Sequence, residues 1–231
     1  IAGGTPSFLS PRTFRRFHDV FAEHVDMSGC TQVTYDVHPE DLLGPKGADR
    51  IKMMRDFGSD RVTMGLQSLD DDVLKAMNRR HTADDYRRLA EKLRAARADI
   101  ALSSDFIVGF PGEMRADFEA TLELVADVGF AQAYSFKYSR RPGTPAAEME
   151  EQVEEAEKED RLAALRDLLD AQQRTFNTAA VGQTVPVLLE RRGRHAGQLV
   201  GRSPYMQAVH VEAPESFFGS IAAVRVEAAH A

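Results

Sequence analysis

The sequence predicts an α/β domain over residues 1–180, followed by a small all-β barrel over residues 181–231. Up to about residue 140, short apolar stretches alternate with amphipathic helical patterns. An acidic stretch then leads into a long helical pattern. Beyond Gly182 the pattern shortens to strand-length runs separated by Gly and Pro, which is typical of a small barrel.

The apolar stretches of the first part predict strands, and the patterns between them predict helices. Alternating strands and helices pair in parallel through right-handed crossovers, so the domain is either a doubly wound sheet or a complete or partial β/α barrel. Ser10 followed by Pro11 predicts one helix start, and Thr82 with Asp85 predicts another. The predicted strands are 32–37, 61–66, 100–108 and 131–138, and the predicted helices are 11–25, 40–57, 83–96 and 116–128.

The second half begins with a long helix and ends in short strands. Acidic residues are dense over 148–159, as at a solvated helix start. Leu162, Leu165, Leu169 and Phe176 then mark one apolar helix face up to about residue 180. The strand-length runs beyond it are 185–190, 198–200, 208–212 and 222–227.

Composition excludes several classes of protein. No run approaches the ~18 apolar residues that a membrane span needs, and a single cysteine, Cys30, excludes an internal disulfide framework and favours the cytoplasm. The net charge of −7 argues against a globally cationic nucleic-acid binder. The arginines of the tail nevertheless cluster, since Arg191, Arg192, Arg194 and Arg202 lie close together in sequence, which suits contact with phosphates.

Three polar or glycine-rich segments follow predicted strands, where ligands gather in parallel α/β folds. The first is Gly3-Gly4-Thr5-Pro6, for which a structural turn is the alternative interpretation. The second is Gly65-Leu66-Gln67-Ser68 with Arg79 twelve residues later, although a cation at a helix C-terminus needs no ligand. The third, Asp105 followed by Gly109-Phe110-Pro111-Gly112-Glu113, favours a ligand because a strand aspartate is costly unless paired.

Together these segments resemble the radical S-adenosylmethionine (SAM) enzymes. Residues 1–80 are similar to the oxygen-independent coproporphyrinogen oxidase-like branch. From residue 74 onward, and especially over 105–113 and 136–147, the sequence resembles the tRNA methylthiotransferases that make 2-methylthio-N6-dimethylallyladenosine. Residues 197–205, with Val209-His210-Val211 and Gly219, look like the RNA-binding TRAM barrel of those enzymes. The resemblance implies a partial radical SAM barrel that lacks its first strand.

The resemblance also implies a role for individual residues. In the SAM site, Gly3, Gly4 and Thr5 are expected at the amino group, Asp36 near the ribose, and Gln67, Arg79 and Asp105 around the rest of the ligand. Gly109, Pro111 and Gly112 are expected as its floor. The adenosine of tRNA would meet Arg141 and Thr144, and the tail would bind RNA through Arg191, Arg192, Arg194, Arg202 and Tyr205.

The family's cluster ligands are missing from this sequence. Radical SAM chemistry uses a [4Fe–4S] cluster on a Cys-x3-Cys-x2-Cys loop, and Cys30 has no such neighbours. We therefore expect no metal ligands in this chain and no reductive SAM cleavage by these residues alone. The loop and an upstream sulfur-donating domain are expected before Ile1, in a longer enzyme, or to have been lost from a recombined protein.

The resemblance implies tRNA as a partner, a flavodoxin or ferredoxin as electron donor, and a monomer without membrane attachment. Two alternatives stay open. One is a coproporphyrinogen oxidase-like or haem-handling radical SAM protein, favoured by residues 1–70. The other is a non-catalytic RNA-binding module, favoured by the missing cysteines. His38 and His81 are candidate acid–base residues, with ordinary polar positions at a strand end and a helix end as the alternative.

Overall fold

The computed structural model describes residues 6–30, 32–68 and 70–229, and the chain divides into two compact units, Ile1–Gln172 and Gln173–Ala231. The first unit contains a parallel sheet with its strands in chain order: β1 (Thr34–Val37), β2 (Arg61–Met64), β3 (Ala101–Val108) and β4 (Gln132–Lys137). Each crossover advances by one strand in the same direction, whereas a doubly wound sheet reverses its order. This order confirms the partial α/β barrel.

Helices connect the strands of the first unit, and the last one leads into the second. The predicted starts are confirmed: Ser10 Oγ accepts from Thr13 N at 3.2 Å, and Thr82 and Asp85 form a capping box. The single helix predicted over 40–57 is wrong, because Pro45 lacks an N–H and forces the preceding Gly44 into an extended conformation. The helices are α1 (Pro11–His24), α2 (Pro39–Leu43), α3 (Gly47–Asp56), α4 (Asp71–Ala76), α5 (Ala83–Ala96), α6 (Arg115–Val128), α7 (Pro145–Glu148) and α8 (Glu155–Ala179).

The core of the first unit lies between one face of the sheet and the helices. Side chains alternate along a strand, so every second residue points to this face. Tyr35, Val62, Met64, Leu102 and Phe106 occupy it and are completely or almost completely buried. The opposite face of the same strands carries mostly polar side chains.

The second unit is an antiparallel sheet in the order β7-β6-β5-β8, which matches the all-β prediction for this region. Val187, Leu189 and Leu199 form its core, and a bulge lies between Leu189 and Arg191. Its strands are β5 (Thr184–Arg192), β6 (Gln198–Arg202), β7 (Ala208–Glu212) and β8 (Ile221–Arg225). Among the helices that the structure describes, none combines the length and the apolar character of a membrane span.

Candidate functional site

The polar face of the parallel sheet forms an open hollow of about 450 Å³. Every strand contributes to its lining. The polar lining residues are Asp36 of β1, Arg61 and Thr63 of β2, and Ser103, Ser104 and Asp105 of β3, and β4 adds the exposed rings of Tyr134 and Phe136. The hollow therefore combines charges, hydroxyls and aromatic surface, as sites for small polar ligands do.

Hydrogen bonds order the side chains nearest the start of the strands. Ser103 Oγ lies 2.9 Å from Thr63 Oγ1 and accepts from Arg61 Nε at 3.2 Å. These bonds tie β2 to β3 across the floor of the hollow. The remaining N–H groups of the Arg61 guanidinium make no hydrogen bond or ion pair with the described residues, so the floor offers positively charged donors.

Two carboxylates face the hollow nearer the carboxyl ends of the strands. Burial raises the pKa of the Asp105 carboxyl, and the negative charge of Asp36 raises it further. The pair therefore favours binding a cation or a hydrogen-bond donor, either of which would relieve the repulsion. The resemblance implies one ligand site for Asp36 and Asp105, and in the structure both residues line the same hollow.

Gln67 stands beside Asp105 in a strained backbone conformation. Its φ is 73°, a left-handed value that costs a non-glycine residue about 1–2 kcal/mol. The strained residue is held by backbone hydrogen bonds: Gln67 N donates to Asp105 O, and Ile107 N donates to Gln67 O, both at 3.2 Å. Such strain persists where the surroundings fix it and clusters at functional sites.

Arg79 follows the end of α4, and none of the residues that the structure describes pairs with its charge. Asn78 takes a φ of 58°, and Arg79 N donates to Leu74 O at 2.8 Å, which closes the helix end. Burial lowers the pKa of the Arg79 guanidinium. This guanidinium makes no hydrogen bond or ion pair within the described ranges, so an anionic ligand would supply the missing acceptor.

A buried ion pair fixes the loop after β3. The Glu113 carboxylate accepts from Gly109 N and from Arg161 of α8, the latter at 2.8 Å, and both side chains are almost completely buried. Burial raises the pKa of Glu113, although the bonds from Gly109 and Arg161 lower it in part. Gly109 has a φ of 71°, and a Cβ there would lie 2.2 Å from Lys158 Cγ, so only glycine fits.

Arg141 and Thr144 lie at the two ends of a tight turn after β4. Thr144 N donates to Arg141 O at 3.2 Å, and Gly143 between them has a φ of 80°. Pro142 and Gly143 are the residues that a type II turn favours at its centre. The turn leaves the Arg141 side chain exposed at the end of the sheet where the predicted SAM-site residues lie.

The arginines of the second unit divide into paired and unpaired side chains. Arg192 Nε donates to Glu215 at 2.6 Å, and Arg202 donates to Glu190 at 3.4 Å and to Met206 O at 2.9 Å. The exposed guanidinium groups of Arg191 and Arg194 have no partner in the part of the chain that the structure describes. The Tyr205 ring packs edge-to-face on Phe176, with centroids 5.2 Å apart.

The structure brings together some predicted residues and adds others. Asp36 and Asp105 line the same hollow, and the backbone N–H of Gln67 donates to Asp105 O. Gly3, Gly4 and Thr5 lie outside the described residues. Sequence reasoning missed Arg61, Thr63, Ser103, Tyr134 and Phe136. Part of their signal was present, because Arg61 and Thr63 alternate with Val62 and Met64 in β2. In β3 and β4 the pattern does not alternate strictly, since Ser104 follows Ser103 and polar residues stand on both sides of Phe136.

Comparison with known protein families agrees with the fold. Residues 1–125, more than half of the chain, match the radical SAM superfamily, and residues 179–231 match the TRAM domain. The chain belongs to the radical SAM superfamily. A TRAM domain suggests RNA binding for the second unit, and the superfamily implies SAM and a [4Fe–4S] cluster as cofactors.

Two solved structures share the fold. Coproporphyrinogen III oxidase (HemN) from Escherichia coli matches with a TM-score of 0.63 and 22% identity over 74% of this chain and 39% of that one. Elp3 from the archaeon Methanocaldococcus infernus matches with a TM-score of 0.51 and 18% identity over 76% of this chain and 44% of that one. This radical SAM chain therefore spans less than half the length of either structure.

The residues present fit SAM but do not fit the cluster. For SAM, the hollow offers two carboxylates, and Arg79, just after α4, is a cation without a partner among the described residues. For the cluster, the sequence holds one cysteine, Cys30, whose Sγ donates to Gln32 O at 3.2 Å. Across the described residues, no group of three His, Cys, Asp or Glu side chains is placed to hold a metal ion.

We expect Arg161→Met to destabilise the protein strongly. The substitution leaves the Glu113 charge buried with only the Gly109 N–H as partner, and breaking a buried pair in this way costs about 3–5 kcal/mol. Urea unfolding measures the loss. Arg115→Met is the matched control, because its ion pair with Glu119 is exposed and contributes at most about 1 kcal/mol. Equal losses in the two variants would contradict a structural role for the Glu113–Arg161 pair.

We expect Asp36→Asn to lower the pKa of Asp105. The substitution removes the neighbouring negative charge, while burial remains and keeps that pKa above its ordinary value. Carbon-13 NMR titration of the Asp105 carboxyl measures the shift. An unchanged pKa would show that the two carboxylates do not interact across the hollow.

Proposed function

We propose that this chain is the SAM-binding and tRNA-binding part of a tRNA methylthiotransferase. The reaction would insert a methylthio group at C2 of N6-(dimethylallyl)adenosine, with one SAM as methyl donor and another as radical source. The observation that carries the proposal is the occurrence, on one chain, of a radical SAM half-barrel and a TRAM domain. The stretch 136–147, which resembles these enzymes, supports it.

In this proposal the hollow binds SAM. Asp36 and Asp105 accept hydrogen bonds from its hydroxyl and amino groups, and Arg79 pairs with its carboxylate. The ion pair of Glu113 with Arg161 holds Gly109 and its loop in place below the ligand. Arg141, exposed after β4, contacts the incoming tRNA. Thiolates for the cluster must come from outside these 231 residues, so no chemical step is assigned to this chain alone.

The second unit provides the tRNA contacts. An arginine that contacts a phosphate releases counterions from the nucleic acid, and an arginine already paired with a carboxylate must first give up that pair. Arg191 and Arg194 have no such pair among the described residues, whereas Arg192 and Arg202 already pair with Glu215 and Glu190. We therefore assign the main phosphate contacts to Arg191 and Arg194.

We expect the double variant Arg191→Ala/Arg194→Ala to weaken tRNA binding and reduce its salt dependence. Each lost phosphate contact lowers the slope of log K against log salt by about 0.7–0.9. Fluorescence anisotropy with tRNA carrying N6-(dimethylallyl)adenosine, between 50 and 200 mM salt (about the range over which the effect is large), measures both quantities. Arg192→Ala is the control, and we expect a smaller change in slope for it. If the control loses as much as the double variant, the assignment fails.

We expect anaerobic reconstitution of the 231-residue chain with iron and sulfide to give no radical chemistry. One cysteine cannot provide the thiolates of a [4Fe–4S] cluster. The measurement is chromatography for 5′-deoxyadenosine after addition of SAM and dithionite. Formation of 5′-deoxyadenosine together with a bound cluster would contradict this expectation.

A second candidate is a haem-handling radical SAM protein. The resemblance of residues 1–80 to the coproporphyrinogen oxidase-like branch favours it. Titration with haem separates the two candidates, because a Soret band that appears on binding would support the second one. The tail argues for the first candidate, since residues 179–231 match the TRAM domain, which suggests RNA binding.

A further inference from the structure

Two large apolar side chains of the second unit lie outside its core. Phe217 is 44% exposed and Phe218 is 52% exposed. Among the described residues, neither belongs to the core of Val187, Leu189 and Leu199 or to the partly buried side chains packed on it. The unit therefore gains little stability from the two rings, because much of their apolar surface stays in contact with water.

A closed turn holds the two phenylalanines between β7 and β8. A single turn of 3₁₀ helix, Glu215–Phe217, begins after Pro214, and Phe218 N donates to Glu215 O at 2.9 Å. Gly219 has a φ of 77°, and its N–H donates to Leu189 O of β5 at 2.7 Å. The turn is thus bonded both within itself and to the sheet, so the two rings stand on a fixed backbone.

The exposed apolar surface continues from the turn onto the sheet. Ile221 opens β8 and lies opposite Leu188 of β5 in the register, and both side chains are exposed. Phe217, Phe218, Ile221 and Leu188 are named here the apolar patch. Single exposed apolar side chains are ordinary in proteins, whereas several at neighbouring positions mark an interaction surface.

Positive charge accompanies the apolar patch. Arg192 Nε donates to Glu215 Oε1 at 2.6 Å, which places the end of β5 beside the turn. Arg191 precedes this residue and Arg194 follows it, and both guanidinium groups are exposed without a partner among the described residues. The surface therefore suits a partner that offers flat apolar groups together with negative charge. Single-stranded RNA offers both, in its bases and its phosphates.

We infer that Phe217 and Phe218 stack on unpaired bases of RNA, with Arg191 on the neighbouring phosphate. This inference rests on the proposed function, because it takes the second unit as the part that binds tRNA. Every base has an aromatic face, so a ring can stack on an unpaired base of any kind. Inside a duplex the bases stack on one another and are closed to side chains. The surface therefore prefers the loop of a tRNA stem-loop to its stem.

A tryptophan placed in the turn reports directly on stacking. The chain contains no tryptophan, so Phe218→Trp introduces the only indole. We expect its fluorescence to be quenched by an RNA that carries the anticodon stem-loop, because a stacked base quenches indole emission, and to change little with a fully paired RNA duplex. Val20→Trp, exposed on α1, is the control and should be quenched by neither RNA.

Affinities of the full chain test the contribution of the rings to binding. We expect Phe217→Leu/Phe218→Leu, which keeps apolar side chains but removes both rings, to weaken stem-loop binding by about tenfold, the order of magnitude of one stacked base. Phe217→Tyr/Phe218→Tyr keeps the rings and should bind like the wild type. The slope of log K against log salt should stay the same in both variants, because the rings contact no phosphate. Fluorescence anisotropy with labelled RNA measures affinity and slope.

The outcomes separate this inference from the proposed function. If the wild type binds neither RNA, the proposed function fails and the inference fails with it. If the wild type binds the stem-loop and the leucine variant binds it equally well, the inference alone is wrong. Equal losses for stem-loop and duplex would also overturn it, because the rings would then have a structural role. So would a wild-type dimer in sedimentation that the leucine variant dissociates with unchanged RNA affinity, since the apolar patch would then bind a second copy of the chain. Circular dichroism confirms that each variant is folded.

Discussion

Every strand of the parallel sheet meets two different surroundings, because its side chains alternate between a face covered by helices and an open face. On the covered face lie Tyr35, Val62 and Phe106, which bury apolar surface there. On the open face lie their neighbours in sequence, Asp36, Thr63 and Asp105. The same two-residue period therefore builds the core and the hollow. A shift of register by one residue would destroy both at once.

The buried charge of Glu113 extends this arrangement to the strand ends. Its carboxylate joins Gly109, at the end of β3, to Arg161 of α8, two segments that are far apart in sequence. A charge in an apolar setting is tolerated only with such partners, so the loop has little freedom to move. The loop and the strained Gln67 lie on either side of Asp105, so the chain itself holds the surroundings of this carboxylate in place.

Much of this organisation follows from the sequence, but the pairing of charges does not. Local signals predict helices and strands well. Here they are the two-residue period of the strands, the caps at Ser10 and Thr82, and the change of pattern after Gly182. Glu113 and Arg161 lie 48 residues apart in sequence, so no local pattern predicts that they form an ion pair. Likewise, the arginine cluster of the tail is visible in the sequence, yet its division into paired and free side chains depends on tertiary contacts with Glu190 and Glu215.

The left-handed backbone at Gln67 has a consequence for any attempt to engineer this protein. Glycine or asparagine would adopt that conformation with less strain, so a selection for thermal stability alone would favour replacing Gln67. Asp105 carries a charge that the charge of Asp36 disfavours, so the same selection acts on it. If the hollow binds SAM as proposed, stability and ligand binding compete at these positions. Libraries screened only by melting temperature would therefore select more stable variants that have lost residues of the proposed site.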